Sequence, residues 1–310
     1  MTTSFDAGLI PLYTTQFTTA LELLLQQKGS VLRGTVREGS HVGKMASPVN
    51  QVGAVSLRSP EGRFAPLPRT DASFVRRWVF PQEGELPQLV DSFDELQTIV
   101  DPKSALVQAA AYAVGRAWDD CIIAAATGVA QLGQDASSLT SETFNTSNFQ
   151  ISASFGSSAA SGLTVAKLIE TKRILRHYHN DLDADPLTLI IGSQQESDLL
   201  NQVEVVSTEF ADRPVLVDGR IKRFLGFDVY VMERLPQTTL NTTRGCLAYV
   251  KSGMYLGIWQ DIMNRIDIRT DLSGQPWQVY TRAMFGATRT QPGKVIQILC
   301  ADTSGADITP

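Results

Sequence analysis

The chain has little cysteine: three residues, Cys121, Cys246 and Cys300, with no C-x-x-C spacing. This excludes a disulfide framework or a thiol-based zinc motif, and the three read as small apolar residues in a reduced, intracellular setting. Charge is also scarce. Asp, Glu, Lys and Arg make up 19% of residues, below the roughly 25% usual in soluble domains. A net charge of −5 and a pI near 5.3 argue against a sequence-specific DNA reader, which presents a strongly basic face. Residues Met1–Asp6 lack the basic start and following apolar stretch of a secretory signal. The most apolar long segment, 105–130, is interrupted by Arg116, Asp119 and Asp120, so no membrane span is expected.

What is present is a globular composition. Hydrophobic residues make up 43% of 310, which excludes disorder as the main state. That length suits about two domains.

The first organised stretch is 14–28, where Phe17, Ala20, Leu21, Leu24 and Leu25 recur at helical spacing and Gly29 ends the run. Residues 33–80 read as extended. Ser59-Pro60-Glu61-Gly62 is a turn signal, and 74–80 alternate with period two, predicting a long two-stranded hairpin. An isolated hairpin is barely stable in water, so this one needs a surface to lie on.

The charge of this arm is distinctive. Residues 33–77 hold eight basic and three acidic side chains, a local net of +5 that leaves −10 for the rest. Residues 82–101 carry six acids, including Glu83, Glu85, Asp91, Asp94 and Glu95, and no Lys or Arg. Such sorted charges fix register and partner choice when they meet across subunits. Arg58, Arg63, Arg76 and Arg77 on the arm, with those five acids, are therefore the candidate subunit-contact residues. Arg76 and Arg77 are expected to meet acids such as Glu83, Asp91 or Asp94, within the subunit or across a boundary, so that charge reversal impairs assembly and leaves monomer folding nearly intact.

Residues 102–127 form the clearest helix. Asp101 suits its N-cap, Pro102 its first position and Gly128 its end. Leu106, Ala109, Ala110, Ala113, Ala117 and Cys121 mark one face of an element about 39 Å long. Residues 131–162 lack Lys and Arg, hold twelve Ser or Thr, and read as a loop or hairpin excursion. From Leu163 the pattern is α/β. Helices are expected from Thr164 to about Tyr178 and from Ser193 to about Gln202. Strands are expected at 187–192, 227–232, 246–250, 264–271, 276–289 and 295–299, followed by a polar tail from Thr303.

Catalytic chemistry has no visible signature. His177 and His179 are two apart on a helix end and do not share a face, so a metal site lacks its geometry. Asp181, Asp183 and Asp185 resemble the first half of a calcium loop, but Pro186 and Gly192 occupy the positions that need Gly and Glu. No phosphate-binding glycine loop, G-x-S-x-G or H-E-x-x-H occurs. No catalytic, cofactor-binding or metal-binding residue is assigned.

The order of these segments resembles the major capsid proteins of tailed bacteriophages, with their Hong Kong 97 type α+β fold. Leu89-Val90-Asp91, Asp94, Asp101-Pro102, Arg116, Asp119 and Ile122-Ile123 through Gly128 look like the approach to that family's spine helix and the helix itself. Phe285-Gly286-Ala287-Thr288-Arg289, Pro292 and Val295 look like its late return strand, and 26–44 is similar to some N-arms.

The resemblance implies an N-arm (1–32), an extended loop (33–81), a peripheral domain (82–159 and 263–292) and an axial domain (160–262 and 293–310). It also implies self-assembly into hexamers and pentamers of an icosahedral head enclosing double-stranded DNA, in the host bacterial cytoplasm. Separate scaffolding, portal and cement proteins are the implied partners, with nonspecific DNA contact, no cofactor and no enzymatic activity. An encapsulin-type nanocompartment shell, which shares the fold, and an α/β enzyme of unknown chemistry are the competing readings.

Overall fold

The computed structural model describes residues 26–53, 55–57, 69, 71–90, 103–135, 137–202, 216–217, 220–238 and 243–302. Strands β1 (Arg37–Ser40), β2 (Ala46–Val52), β3 (Phe74–Val79) and β4 (Gln82–Val90) come first. Helix α1 (Lys103–Thr127), β5 (Ala130–Leu132), β6 (Thr140–Glu142), α2 (Thr146–Phe149) and β7 (Gln150–Ile151) follow. The chain continues through α3 (Val165–His177), β8 (Leu187–Ile191), α4 (Ser193–Leu200), β9 (Leu216–Val217), β10 (Arg220–Ile221), β11 (Arg223–Phe224) and β12 (Phe227–Val231). It finishes with β13 (Gln237–Thr238), β14 (Thr243–Val250), β15 (Met254–Ile268), β16 (Trp277–Arg289) and β17 (Val295–Ala301).

Three larger sheets organise these elements. One has the order β11-β12-β8-β14-β17-β7, with β13 added on β14. Its central strands β8 and β14 are almost entirely buried, which explains their near-continuous apolar runs. The core below joins Leu168 and Leu175 of α3 to Leu189, Ile190, Leu247, Ile296 and Ile298, and takes in Ile122, Ile123 and Ala126 of α1. The second sheet, β1-β15-β16-β4, is a long ribbon whose β15–β16 pairing shifts register between Ile258 and Met263. The third, β2-β3-β5-β6, joins the predicted hairpin to the excursion after α1.

Thr164 caps α3 through its side chain, as its position predicts, and Gly128 closes α1 by donating to the Ala124 carbonyl. Strand β15 begins ten residues before the expected 264, because 254–258 is an apolar run that pairs with β16 and, at 255–258, also with β1. The acidic stretch after Pro81 is also strand, as far as Val90, held along its length by β16.

Helix α1 is covered on two sides. Trp118 packs edge-on against Phe285 of β16, with ring centroids 6.3 Å apart. The fully buried positions run through Ala110, Gly115, Trp118, Asp119, Ile122 and Ala126, while Leu106, Ala109, Ala113, Ala117 and Cys121 are only half-buried. The expected face is therefore rotated, because residues 26–33 lie across the Gly115–Asp119 side. The helix over 14–28, the Ser59–Gly62 turn, the Asp101 cap and the polar tail from Thr303 lie outside the described residues, except that Gln26–Lys28 carry no helix.

Candidate assembly surface

The β2–β3 hairpin projects apolar side chains into solvent. Val52, Val55, Leu57 and Phe74 are all more than half exposed. Its base is anchored. Gln51 Nε2 donates to the Thr290 carbonyl at 2.7 Å, and Trp78 Nε1 donates to the Gly133 carbonyl at 3.1 Å. The alternation of β3 turns Arg77 and Val79 inward while Arg76 stays exposed.

For Arg77 the expected pairing with Glu83, Asp91 or Asp94 is corrected: its acidic partner is Glu142. Arg77 is 3% exposed, and its Nη1 lies 2.7 Å from Glu142 of β6 and 3.3 Å from the Arg289 carbonyl. Pairing of β3 with β5, and of β5 with β6, is what delivers Glu142 to Arg77. Arg76 donates to the Gln134 carbonyl at 3.3 Å. Arg77 is thus held inside its own subunit, and reversing its charge cannot leave monomer folding untouched.

Glu83 and Glu85 stand exposed on β4; Glu85 accepts a hydrogen bond from Tyr280 at 3.0 Å. Among the described residues β4 pairs with β16 alone and is an edge strand, blunted by Pro87 and the two acids. Arg58, Arg63, Asp91, Asp94 and Glu95 lie outside the described residues. At the far end of the β15–β16 ribbon, Met263, Ile266, Ile268 and Leu272 are exposed. The hairpin and this ribbon end thus each carry exposed apolar side chains.

Three buried charges, which sequence reasoning did not single out for this role, tie separate segments of the chain together. Asp119 on α1 accepts hydrogen bonds from Gln27, Ser30 and the amides of Val31 and Leu32. Arg289 at the end of β16 donates to the carbonyls of Ala126 and Gly128, closing the C-terminus of α1. Lys167 Nζ lies 2.8–3.2 Å from the carbonyl oxygens of Ala153, Ser161, Gly162 and Leu299. Burial lowers the Lys167 and Arg289 pKa values and raises that of Asp198 beside Lys167.

Among the described residues, no three His, Cys, Asp or Glu side chains are placed to hold a metal ion. No helix of these residues is long and apolar enough to cross a membrane. His177 and His179 are exposed at the end of α3, and Asp181 accepts from the amides of Asp183 and Ala184 in a plain turn. The open depression between residues 141–149 and Pro292, about 600 Å³, has one titratable side chain in its lining, Glu142.

Comparison with known proteins gives a consistent result. The family model described as phage capsid protein matches residues 9–302. The capsid structure of cyanophage P-SCSP1u superposes with a TM-score of 0.73 at 14% identity, covering 98% of this chain and 97% of that one. The capsid of cyanophage Pam1 gives 0.70 at 11% identity, over 97% and 98%. For Ralstonia phage GP4 the values are 0.66 and 11%, with both chains fully covered. No curated protein matches the chain.

The match over residues 9–302 shows that the chain belongs to the phage capsid protein family. It is a major capsid protein of that α+β fold, and its place is the virion shell.

Proposed function

We propose that this subunit assembles into hexamers and pentamers of an icosahedral head that encloses double-stranded DNA. The observation that carries the reading is the β2–β3 hairpin, with Val52, Val55, Leu57 and Phe74 facing solvent. Exposed apolar side chains clustered on a projecting element mark a protein contact, and a repeated contact between identical subunits closes a shell. Residues 33–81 lie over a neighbouring subunit in this reading. Residues 82–159 with 263–292 form the peripheral part, and 160–262 with 293–310 the axial part. Strand β15 runs across the 262/263 boundary, which ties the two parts together.

The phage capsid family match favours a DNA-filled head over a cargo nanocompartment. The same membership supports a non-enzymatic role, assembly in the host bacterial cytoplasm, and separate scaffolding, portal and cement proteins as partners. Contact with DNA is nonspecific in this reading, since the net charge of −5 limits the number of phosphates a lining can hold. Negative-stain microscopy of the purified protein tests the reading. Closed icosahedral particles are the expected result; a small monodisperse species under assembly conditions contradicts it.

A further inference from the structure

The residues that cross α1 before the arm's first strand make an unusually dense contact. Gly115 is buried, and a Cβ there would stand 2.6 Å from both the Gly29 carbonyl carbon and the Ser30 nitrogen. Those are backbone atoms and cannot swing aside, so the crossing requires glycine at 115. One turn along, Asp119 is fully buried and points at the same segment. Its Oδ1 accepts from Ser30 Oγ at 2.5 Å and the Leu32 amide at 3.1 Å. Its Oδ2 accepts from Gln27 Nε2 at 2.5 Å and the Val31 amide at 3.0 Å.

Two neighbours on the helix add to the grip. Arg116 Nη1 donates to Gln26 Oε1 at 2.9 Å and to the Gln27 carbonyl at 3.2 Å. The Arg33 guanidinium stacks over Trp118, 4.4 Å from the ring centroid, while also reaching Glu38 and Asp261. Four positions within five residues of α1 therefore hold residues 26–33. Gly29, at φ +76°, supplies the bend between the two halves of the grip.

This contact exceeds what folding of the core demands. A buried carboxylate is costly unless its oxygens are satisfied. An apolar residue at 119 would pack against the helix side of the crossing without that cost. What the carboxylate adds is direction. Hydrogen bonds to two side chains and two consecutive amides fix the path of the segment, where an apolar contact would let it slide.

We propose that Gly115 and Asp119 form a latch that fixes the path of residues 26–33 across α1 and so the approach to β1, and that they are positioning residues for shell closure. The proposal rests on the shell reading above. A crossing whose path wanders presents its contacts to the wrong place on a neighbour, so closure fails although each subunit is folded.

The test compares the wild-type protein with the Q27A/S30A double variant, which removes two of the four donors and leaves α1 unaltered. Asp119→Asn and Gly115→Ala are made alongside. Three quantities are read: cooperative thermal melting, the yield of closed particles, and the rate of protease cleavage within 26–33. The double variant should melt cooperatively like wild type. Its particle yield should fall about tenfold and its cleavage should quicken about tenfold, the loss expected when charge-assisted hydrogen bonds go. Asp119→Asn should do the same or more. Unchanged yield and cleavage in the folded double variant would overturn the latch. So would a fall in yield that comes only with loss of cooperative melting. If the wild-type protein itself forms no particles, the shell reading fails, and the cleavage comparison still decides the latch.

Discussion

Arg77 Nη1 lies 2.7 Å from the carboxylate of Glu142, an ion pair that joins the root of the projecting hairpin to the excursion after the long helix. The arginine side chain is 4% exposed and the glutamate 29%, so the pair is screened unequally. Removing the glutamate leaves a buried guanidinium with only the Arg289 carbonyl, at 3.3 Å. Glu142→Gln should therefore cost about 1–3 kcal/mol in urea unfolding of the monomer, and Arg77→Glu more. Arg76 is exposed, and Arg76→Glu should leave the same midpoint within about 0.5 kcal/mol. Equal effects at 76 and 77 would contradict the assigned geometry.

Lys167 makes its contribution through backbone carbonyls rather than a carboxylate. Its ammonium reaches into the turn around Ser161 and Gly162 and onto the last strand at Leu299. Lys167→Met keeps the volume of the stem and strands those carbonyls. The expected loss is about 2–4 kcal/mol, read by urea unfolding, with faster amide exchange at 153–163. Wild-type stability in this variant would mean that the buried ammonium is dispensable.

Cys121 is half-buried on the long helix, and burial with the nearby Asp120 charge pushes its thiol up to about 11 from an ordinary 9.0. Thiolate is the reactive form. At about pH 8 its fraction is near one thousandth, so alkylation of the native protein should be slow and should quicken about tenfold per pH unit up to the folded pKa. The raised value means that this group's contribution to stability is present below pH 9.0 and is lost as pH rises through about 11. Mass spectrometry after timed alkylation measures the rate, and fast labelling at neutral pH would contradict the environment described.

At the other end of the large sheet, Arg244 pairs with Glu233 and with Asp302, and Gln237 also donates to Asp302. Burial raises the Glu233 pKa, but hydrogen bonds from Ser193 and the Arg244 charge outweigh it and leave the carboxyl below its ordinary 4.5. A depressed carboxylate stabilises the fold above its unfolded value and loses that contribution as pH falls through the folded one. The urea midpoint of wild type should fall as pH drops through and below 4.5, and Glu233→Gln should flatten part of that fall. An identical pH profile in the variant would show that the pair is not coupled to folding.

Much of the fold is legible in the residues. The alternation of 74–80 gives the hairpin strand, the run up to Gly128 gives the long helix, and Thr164 marks the start of α3. Strand β4 was not legible, because Glu83, Gly84, Glu85 and Pro87 are poor strand formers and only the nine-residue pairing with β16 holds them extended. The beginning of β15 was hidden for the opposite reason. A continuous apolar run such as 254–258 carries no period with which to tell a strand from a buried helix.

The candidate site was legible as a charge pattern and not as a set of contacts. Arg77 is buried because β5 and β6, from 130–142, add to the sheet beside β3 and bring Glu142 to it. Asp119, Arg289 and Lys167 bind mostly backbone groups of distant segments, which side-chain patterns cannot announce. One local signal existed: Gly115 and Asp119 stand one helical turn apart on the long helix, marking a side where something crosses closely.

The most direct test of the central claim is a cryo-electron microscopy reconstruction of particles formed by this protein. Closed icosahedral shells, with the β2–β3 hairpin of each subunit resting on its neighbour, are the predicted result. Open sheets, filaments or isolated subunits with the hairpin folded back on its own chain would contradict it.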